Sequence, residues 1–294
     1  MKNQSSRRIG RIKSMFILPA VIVSMMVLAG ALIMSFVRPD ERVAWLGAAL
    51  ASVPLPLIVG RIKWMQVART SDHLPILLFV SATGVMAAVW EVFVESTSGW
   101  WPLSAALASA ALFALYTFWY STFGRYDNPR LGVGSKLPEF ELPDYQGRLH
   151  RSADLIGNPA VLLFYRGNWC PLCMAQISEI AARYGEFVDL GINVWLISPQ
   201  PDEMSRVLAE RYDVPFAFLV DRDNELANEL SIDQPNGVPA GIARDYPPDT
   251  VMPTLVVTGP SGTIVFSDQT DNYRVRPEPD VFLAILRRSG AVAR

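Results

Sequence analysis

The sequence predicts a two-part chain: an all-α region of about four transmembrane helices, then an α/β domain built on a mixed central sheet with helices on both faces. Three observations predict it. The net charge of −2 hides a split, because residues 1–124 carry a net +5 and residues 125–294 a net −7. The positive half holds uncharged apolar runs of membrane-crossing length. The acidic half instead alternates short apolar runs with amphipathic ones, the pattern of strands separated by helices.

The apolar half divides into spans at about 15–37, 43–60, 74–94 and 99–123 within a region 1–124. The first, "MFILPAVIVSMMVLAGALIMSFV", is 23 residues without a charge, and roughly 20 suffice to cross the hydrocarbon core. Pro54 and Pro56 interrupt the second. Trp100 and Trp101 at one end of the fourth, and Trp119 and Tyr120 at the other, suit the two interfaces. Basic residues cluster before the first span (Lys2, Arg7, Arg8, Arg11, Lys13), after the second (Arg61, Lys63, Arg69) and after the fourth (Arg125, Arg130, Lys136). Only Arg38 and Arg42 stand on the other side, so both termini are expected in the cytoplasm, in a bacterial cytoplasmic membrane. A competing reading makes the first span a signal peptide cleaved near "LAGA" at 28–31, which leaves the C-terminal half in the same compartment. This half contains no cysteine; His73 reads as an interfacial residue. Glu91 reads as an acid close enough to the interface to reach water. An anchor is the plain expectation.

Residues 125–137 read as a linker and 138–294 as the second domain. "FELPDYQGRLH" predicts a short hairpin turning at "YQG". A buried strand follows at 160–166, a helix at about 171–187 opened by Pro171, a strand at 192–198 and a helix in "PDEMSRVLAERY". "FAFLV" and "DRDNELANEL" repeat the strand–helix order. A loop rich in Pro and Gly leads to "TLVVT", the turn "GPSG", an antiparallel "TIVFSD" and a closing helix in "EPDVFLAILRRS". The half has no long basic run, so no nucleic-acid partner is expected. No glycine-rich dinucleotide fingerprint follows a strand, and no organic cofactor is expected.

Both cysteines of the chain lie in "FYRGNWCPLCMAQ", at 170 and 173. Cys170 follows a buried strand and opens a helix, where free N–H groups and the helix dipole favour a thiolate. Cys173 lies in the first turn on the same face, roughly 5–6 Å away at Cβ, and a modest adjustment reaches the ~3.5–4.5 Å of a disulfide. Cys170 would attack a substrate and Cys173 displace it by closing the internal disulfide. A zinc site needs about four ligands, and His150 is the only histidine of this half, so no metal is expected. An incidental pair of core cysteines fits poorly beside Trp169 at a strand-to-helix junction.

"WCPLC" after a strand, with "MPT" at 252–254 opening a later one, resembles the thioredoxin-like fold. "GSKLPEFELPDYQGR", "VLLFYRGNWCPLCMAQ", "LISPQPDEMSRVLAERYDVPFAFLVDRDNELANEL" and "DNYRVRPEPDVFLAIL" are similar to successive segments of peroxiredoxin-like proteins of the alkyl hydroperoxide reductase/thiol-specific antioxidant (redoxin) family, over about 132–290. The resemblance implies that Pro253 is a cis-proline facing the cysteine pair, with Trp169, Pro171 and Thr254 positioning substrate. It also implies departures. The family places Pro seven and Thr or Ser three residues before its peroxidatic cysteine, where this chain has Leu163 and Gly167. The family's arginine falls near Met252–Pro253–Thr254. Arg166 is a candidate to stabilise the thiolate and a developing oxyanion; the alternative is a surface salt bridge at a strand end.

The expected protein is therefore a membrane-anchored thiol oxidoreductase acting on a hydroperoxide or a protein disulfide, recharged by a thioredoxin- or glutathione-type donor. Its expected partners thus include the lipid bilayer. A non-catalytic redox sensor and a disulfide reductase of thioredoxin type are the alternatives. A transporter would need polar residues along a pathway, and Glu91 is the only acid that could contribute.

Overall fold

The computed structural model describes residues 2–95 and 99–292, so the last two residues of the predicted 138–294 domain lie outside it. Two compact units result, residues 15–122 and residues 123–292, the second including the start of the chain as far as Ser14.

The first unit is helical: α1 (Lys2–Val37) from Met15 onward, α2 (Arg42–Ser52), α3 (Pro54–Trp64), α4 (Pro75–Trp90) and α5 (Trp100–Ala114). The stretches Ser5–Val37, Pro39–Trp64, Pro75–Glu95 and Trp100–Tyr120 are each long and apolar enough to cross a membrane. Small residues make the interior, with Ala44, Ala48, Ala51, Ala88 and Ala106 packed among one another. α2 and α4 touch through backbone, for a β-carbon on Gly47 would lie 2.5 Å from the carbonyl oxygen of Gly84. Glu91 does not reach for water. It is 6% exposed, and its carboxylate accepts the backbone N–H of Ala44 in the first turn of α2. A helix start has N–H groups without intrahelical acceptors, which gives this buried acid a structural task.

The second unit opens with the hairpin β1 (Glu141–Pro143) and β2 (Leu149–Arg151). Asp144 holds its turn by accepting from the amides of Gln146 and Arg148 at 2.8 and 3.0 Å. Next come β3 (Ala160–Phe164), α6 (Pro171–Ala181), α7 (Tyr184–Asp189), β4 (Asn193–Ser198), α8 (Asp202–Tyr212), β5 (Ala217–Val220) and α9 (Glu225–Glu229). The chain closes with β6 (Asp233–Gln234), β7 (Thr250–Val251), β8 (Thr254–Thr258), β9 (Ile264–Asp268) and α10 (Pro279–Arg288).

The main sheet has the order β5-β4-β3-β8-β9. β3 pairs parallel to β4, β4 parallel to β5, and β8 antiparallel to both β3 and β9. This is a thioredoxin-like sheet, with β3 at its centre and aimed at the cysteine pair. Every residue of β3, "AVLLF", is buried, as a strand covered on both faces requires. Leu162 and Phe164 point with Trp195, Ile197, Leu219 and Val256 into one core. Val161 and Leu163 alternate to the opposite face.

The predicted helix over 171–187 is two helices. The backbone leaves helical geometry at Arg183 (φ −109°, ψ 15°), and α7 then carries Phe187 against Phe216 and Phe282. The predicted Pro/Gly loop also contains structure of its own: β6 pairs with β7 and closes the loop between them at its base.

Candidate redox site

The end of β3 builds the site. Backbone pairing continues one residue further, with the Tyr165 amide donating to the Ile197 carbonyl at 2.9 Å. The chain then turns at Gly167, whose φ of +138° is a region that a residue with a β-carbon rarely occupies. A β-carbon there would also lie 2.8 Å from the indole nitrogen of Trp169. The ring thus occupies the space that a threonine or serine would need at this position, which is why glycine stands there. Gln200, from the end of β4, braces the turn: its carbonyl accepts the Asn168 amide at 2.9 Å, and its NH2 group donates to the Tyr165 hydroxyl at 2.9 Å.

Cys170 is the N-cap residue of α6, with φ −91° and ψ 106°, and Pro171 takes the first helical position. The Cys170 side chain makes no capping hydrogen bond. Both cysteines are unlinked thiols and both are buried, Cys170 at 2% exposure and Cys173 at 0%. They are hydrogen-bonded to one another.

Two arginines define the electrostatics. Arg276, on the segment before α10, is 5% exposed and donates from Nη2 to Cys173 Sγ at 3.6 Å. Its other donors are fixed by Gln176 Oε1 and the Tyr273 carbonyl, both at 3.0 Å. Arg166 is 6% exposed, so it makes no surface salt bridge. It donates to the Gly237 carbonyl, and its guanidinium lies 4.6 Å from the Trp169 ring and 5.7 Å from that of Tyr273. Its own carbonyl accepts from the Thr250 hydroxyl at 2.8 Å, which ties the strand end to β7.

Burial, the two arginines and the neighbouring sulfur act on both thiols of the pair. Burial pushes the Cys170 thiol well above its ordinary range, and the hydrogen bond to Cys173 with that neighbour's charge pushes the same way. Burial pushes Cys173 up as well, but the Cys170 hydrogen bond, the Arg276 charge and the Arg166 amide and charge outweigh it and bring the thiol down to about 5. The sequence leads one to expect that the helix N-terminus favours a thiolate at Cys170, and burial with the neighbouring thiol works against it there. The Cys170 sulfur makes no contact to the free amides of the first turn, while the donors converge on Cys173.

Pro253 also differs from expectation. No cis peptide bond occurs among the described residues, so Met252–Pro253 is trans. The chain passes from β7 to β8 in two residues, with the Met252 amide donating to the Ile232 carbonyl at 2.7 Å, and the trans linkage keeps it extended. The Pro253 carbonyl accepts from Arg125 Nη1 at 3.1 Å. Thr254 pairs across the sheet with Phe164, and its hydroxyl is engaged with the Met252 carbonyl and Arg125 Nη2 at 2.9 and 3.2 Å.

The AhpC/TSA family matches residues 133–267, a segment holding the hairpin, the central strand, both cysteines and β8. Residues 133–267 are an AhpC/TSA family domain. Curated relatives of this AhpC/TSA domain include the thiol-disulfide oxidoreductase ResA of Geobacillus thermodenitrificans, 27% identical over 118 residues, 40% of this chain and 66% of that protein. Peroxiredoxin Bcp of Bacillus subtilis is 27% identical over 100 residues, covering 34% and 64%. The chain thus spans just under two thirds of these relatives' own length. Among solved structures, the peroxidoxin BcpB of Mycobacterium tuberculosis is similar at 22% identity and a TM-score of 0.44, over 53% of this chain and 96% of that one.

Arg276 is the residue that sequence reasoning missed in the AhpC/TSA domain's site. It lies 103 residues from Cys173, in a segment with no regular periodicity, and only the return of the chain over α6 brings the two together.

Proposed function

We propose that the chain is a membrane-anchored thiol oxidoreductase in which Cys170 is the attacking thiol and Cys173 the resolving one. The observation that carries this is two buried, mutually hydrogen-bonded thiols at the start of α6, facing an arginine 3.6 Å from one sulfur. A guanidinium there favours the thiolate over the thiol, and a helical turn spaces the pair for closure into a disulfide.

Substrate is a hydroperoxide or a protein disulfide, and a thioredoxin- or glutathione-type donor returns the electrons. Two buried N–H groups, Arg166 Nε and Trp169 Nε1, have no hydrogen-bond partner among the described residues. The four apolar helices hold the domain at a bilayer, with the thiol site on the cytoplasmic side. In that compartment dithiols are kept reduced, so the role is reductive.

Stopped-flow oxidation of the reduced full-length chain in detergent micelles tests the reading. Fast thiol loss with hydrogen peroxide, abolished in Cys170→Ser and halted at a sulfenic acid in Cys173→Ser, is the outcome for a peroxidase. Slow peroxide reaction with rapid exchange against a protein disulfide makes it a disulfide reductase. If neither oxidant reacts faster with wild type than with Cys170→Ser, the catalytic reading fails.

A further inference from the structure

We propose that the start of the chain, Arg7 to Ser14, is a strap that seats the neck of the 235–249 loop against Arg166 and so acts as a positioning element of the dithiol site. The inference rests on the redox reading above and gives that site a part outside the matched residues 133–267.

The segment as far as Ser14 packs with the thiol domain as one unit. Its basic residues Arg7, Arg8, Arg11 and Lys13 precede the uncharged run that begins at Met15. Gly10 lets the helix come close to the loop: a β-carbon there would overlap the Pro235 carbonyl and lie 3.5 Å from the Asn236 β-carbon. Glycine weakens a helix interior relative to alanine, so close approach is what this residue provides. One turn further, the Ser14 carbonyl accepts the Ala240 amide at 2.9 Å. Asn236 Nδ2 donates to the Arg7 carbonyl at 3.2 Å, and the Arg7 guanidinium lies 3.3 Å from the Asp249 carboxylate. An exposed ion pair contributes little by itself. The backbone contacts at Gly10 and Ser14 carry the docking.

The neck of the loop has two sides. Asn236 and Asp249 face the strap and are joined to each other, with Asp249 Oδ1 accepting the Asn236 amide at 2.9 Å. The residue after each of them faces Arg166. The Gly237 carbonyl accepts from Arg166 Nη2, and the Thr250 hydroxyl donates to the Arg166 carbonyl at 2.8 Å. Gly237 has no slack, since a β-carbon on it would lie 2.6 Å from Thr250 Cγ2 and 2.7 Å from the Gln234 side chain. The Val238 amide closes the neck by donating to the Pro248 carbonyl at 3.1 Å. A displacement of Asn236 or Asp249 therefore reaches Arg166 through one further residue on either side. Arg166 in turn acts with its charge on both cysteines, and its backbone amide meets Cys173. With the strap docked, the guanidinium is held 4.6 Å from the Trp169 ring. With the strap undocked, the Gly237 carbonyl withdraws and the cation loses its fixed place beside the pair.

The test uses the reduced full-length chain in detergent micelles. Gly10→Ala favours the helix but prevents the close approach. Gly30→Ala is the control, a glycine of the same helix where an added β-carbon meets open space among the described residues. Hydrogen exchange across 234–250 should rise several-fold in Gly10→Ala and stay unchanged in Gly30→Ala. The pH midpoint of cysteine alkylation by iodoacetamide should move upward in Gly10→Ala by on the order of half a pH unit, because a displaced cation stabilises a thiolate less. The midpoint is read against each variant's own plateau rate, so a change in thiol access does not move it. In an Arg166→Gln background, Gly10→Ala should shift the midpoint no further, since the strap acts through that arginine. Should Arg166→Gln fail to fold, the single variants decide. The proposal is overturned if exchange across 234–250 is unchanged in Gly10→Ala, or if it rises while the midpoint stays in place. It is equally overturned if Gly30→Ala behaves as Gly10→Ala does, or if the midpoint shift persists at full size in Arg166→Gln. None of these measurements needs turnover. A wild type inert to both peroxide and disulfide would defeat the redox reading, while exchange and midpoint would still decide whether the strap governs the pair.

Discussion

Gly167 meets two constraints at once, a backbone at φ +138° and an indole nitrogen 2.8 Å from where a β-carbon would stand. The indole cannot yield cheaply, because the Arg166 guanidinium lies 4.6 Å from its ring. Gly167→Ala should therefore cost about 1–3 kcal/mol through backbone strain and displacement of Trp169. It should also slow the first oxidation of Cys170, since the Cys170 amide donates to the Gly167 carbonyl at 3.1 Å. Chemical denaturation of the purified chain, followed by tryptophan fluorescence, measures the first effect. An alanine variant as stable as wild type would mean that the turn relaxes without strain. The same residue explains a departure from the family at this position: glycine makes room for a ring, and polar donors reach the site from Arg166 and Arg276.

Elements in this domain are finished by side chains from outside their own span. Asp221 follows β5 and is 1% exposed; its two carboxylate oxygens accept the amides of Leu226 and Ala227, each at 2.9 Å. Burial raises its carboxyl, and the two amide hydrogen bonds work against that rise. Asp221→Ala should cost about 1–2 kcal/mol by leaving two helix-start amides without acceptors. Asp221→Asn, which keeps one carbonyl oxygen, should cost less. Hydrogen exchange at 225–230 reads this directly, and unchanged protection there would show that α9 is held by packing alone. The hairpin follows the same logic. Burial raises the Asp144 carboxyl, but hydrogen bonds from the Arg148 and Gln146 amides, His150 and the Arg148 side chain prevail and lower it. Its charge is therefore kept at neutral pH and lost only as pH falls through this depressed value, and the turn weakens with it.

At the scale of the molecule, one chain combines an apolar helical unit with a thiol domain of opposite net charge. Outward-facing side chains such as Ile33, Phe36, Ile76, Phe79 and Trp101 are largely exposed, as lipid-facing residues would be. The proposed placement of the thiol site in the cytoplasm predicts the outcome of protease protection in membrane vesicles. Residues 125–292 should be digested in inside-out vesicles and protected in right-side-out ones. The opposite result would overturn the proposed side and put the dithiol in an oxidising compartment, where a reductive role makes no sense.

The sequence by itself determined what depends on local chain physics. A run of apolar residues declares a buried strand, as in "AVLLF". Pro171 declares a helix start, "YQG" a turn, and the CxxC spacing a pair of sulfurs on one helical turn. Even the break within the second apolar stretch was legible, because proline at 54 removes a donor. What tertiary structure alone decided is that an arginine from far along the chain meets the cysteine pair. Arg276, 103 residues from Cys173, donates to its sulfur, and Gln176 holds the guanidinium in place. Tertiary structure likewise decided that Glu91 caps a different helix, that Arg166 turns inward, and that Met252–Pro253 stays trans between two strands. Local propensity acts over a few residues, whereas Coulomb forces and burial act between whatever the fold brings within a few ångströms.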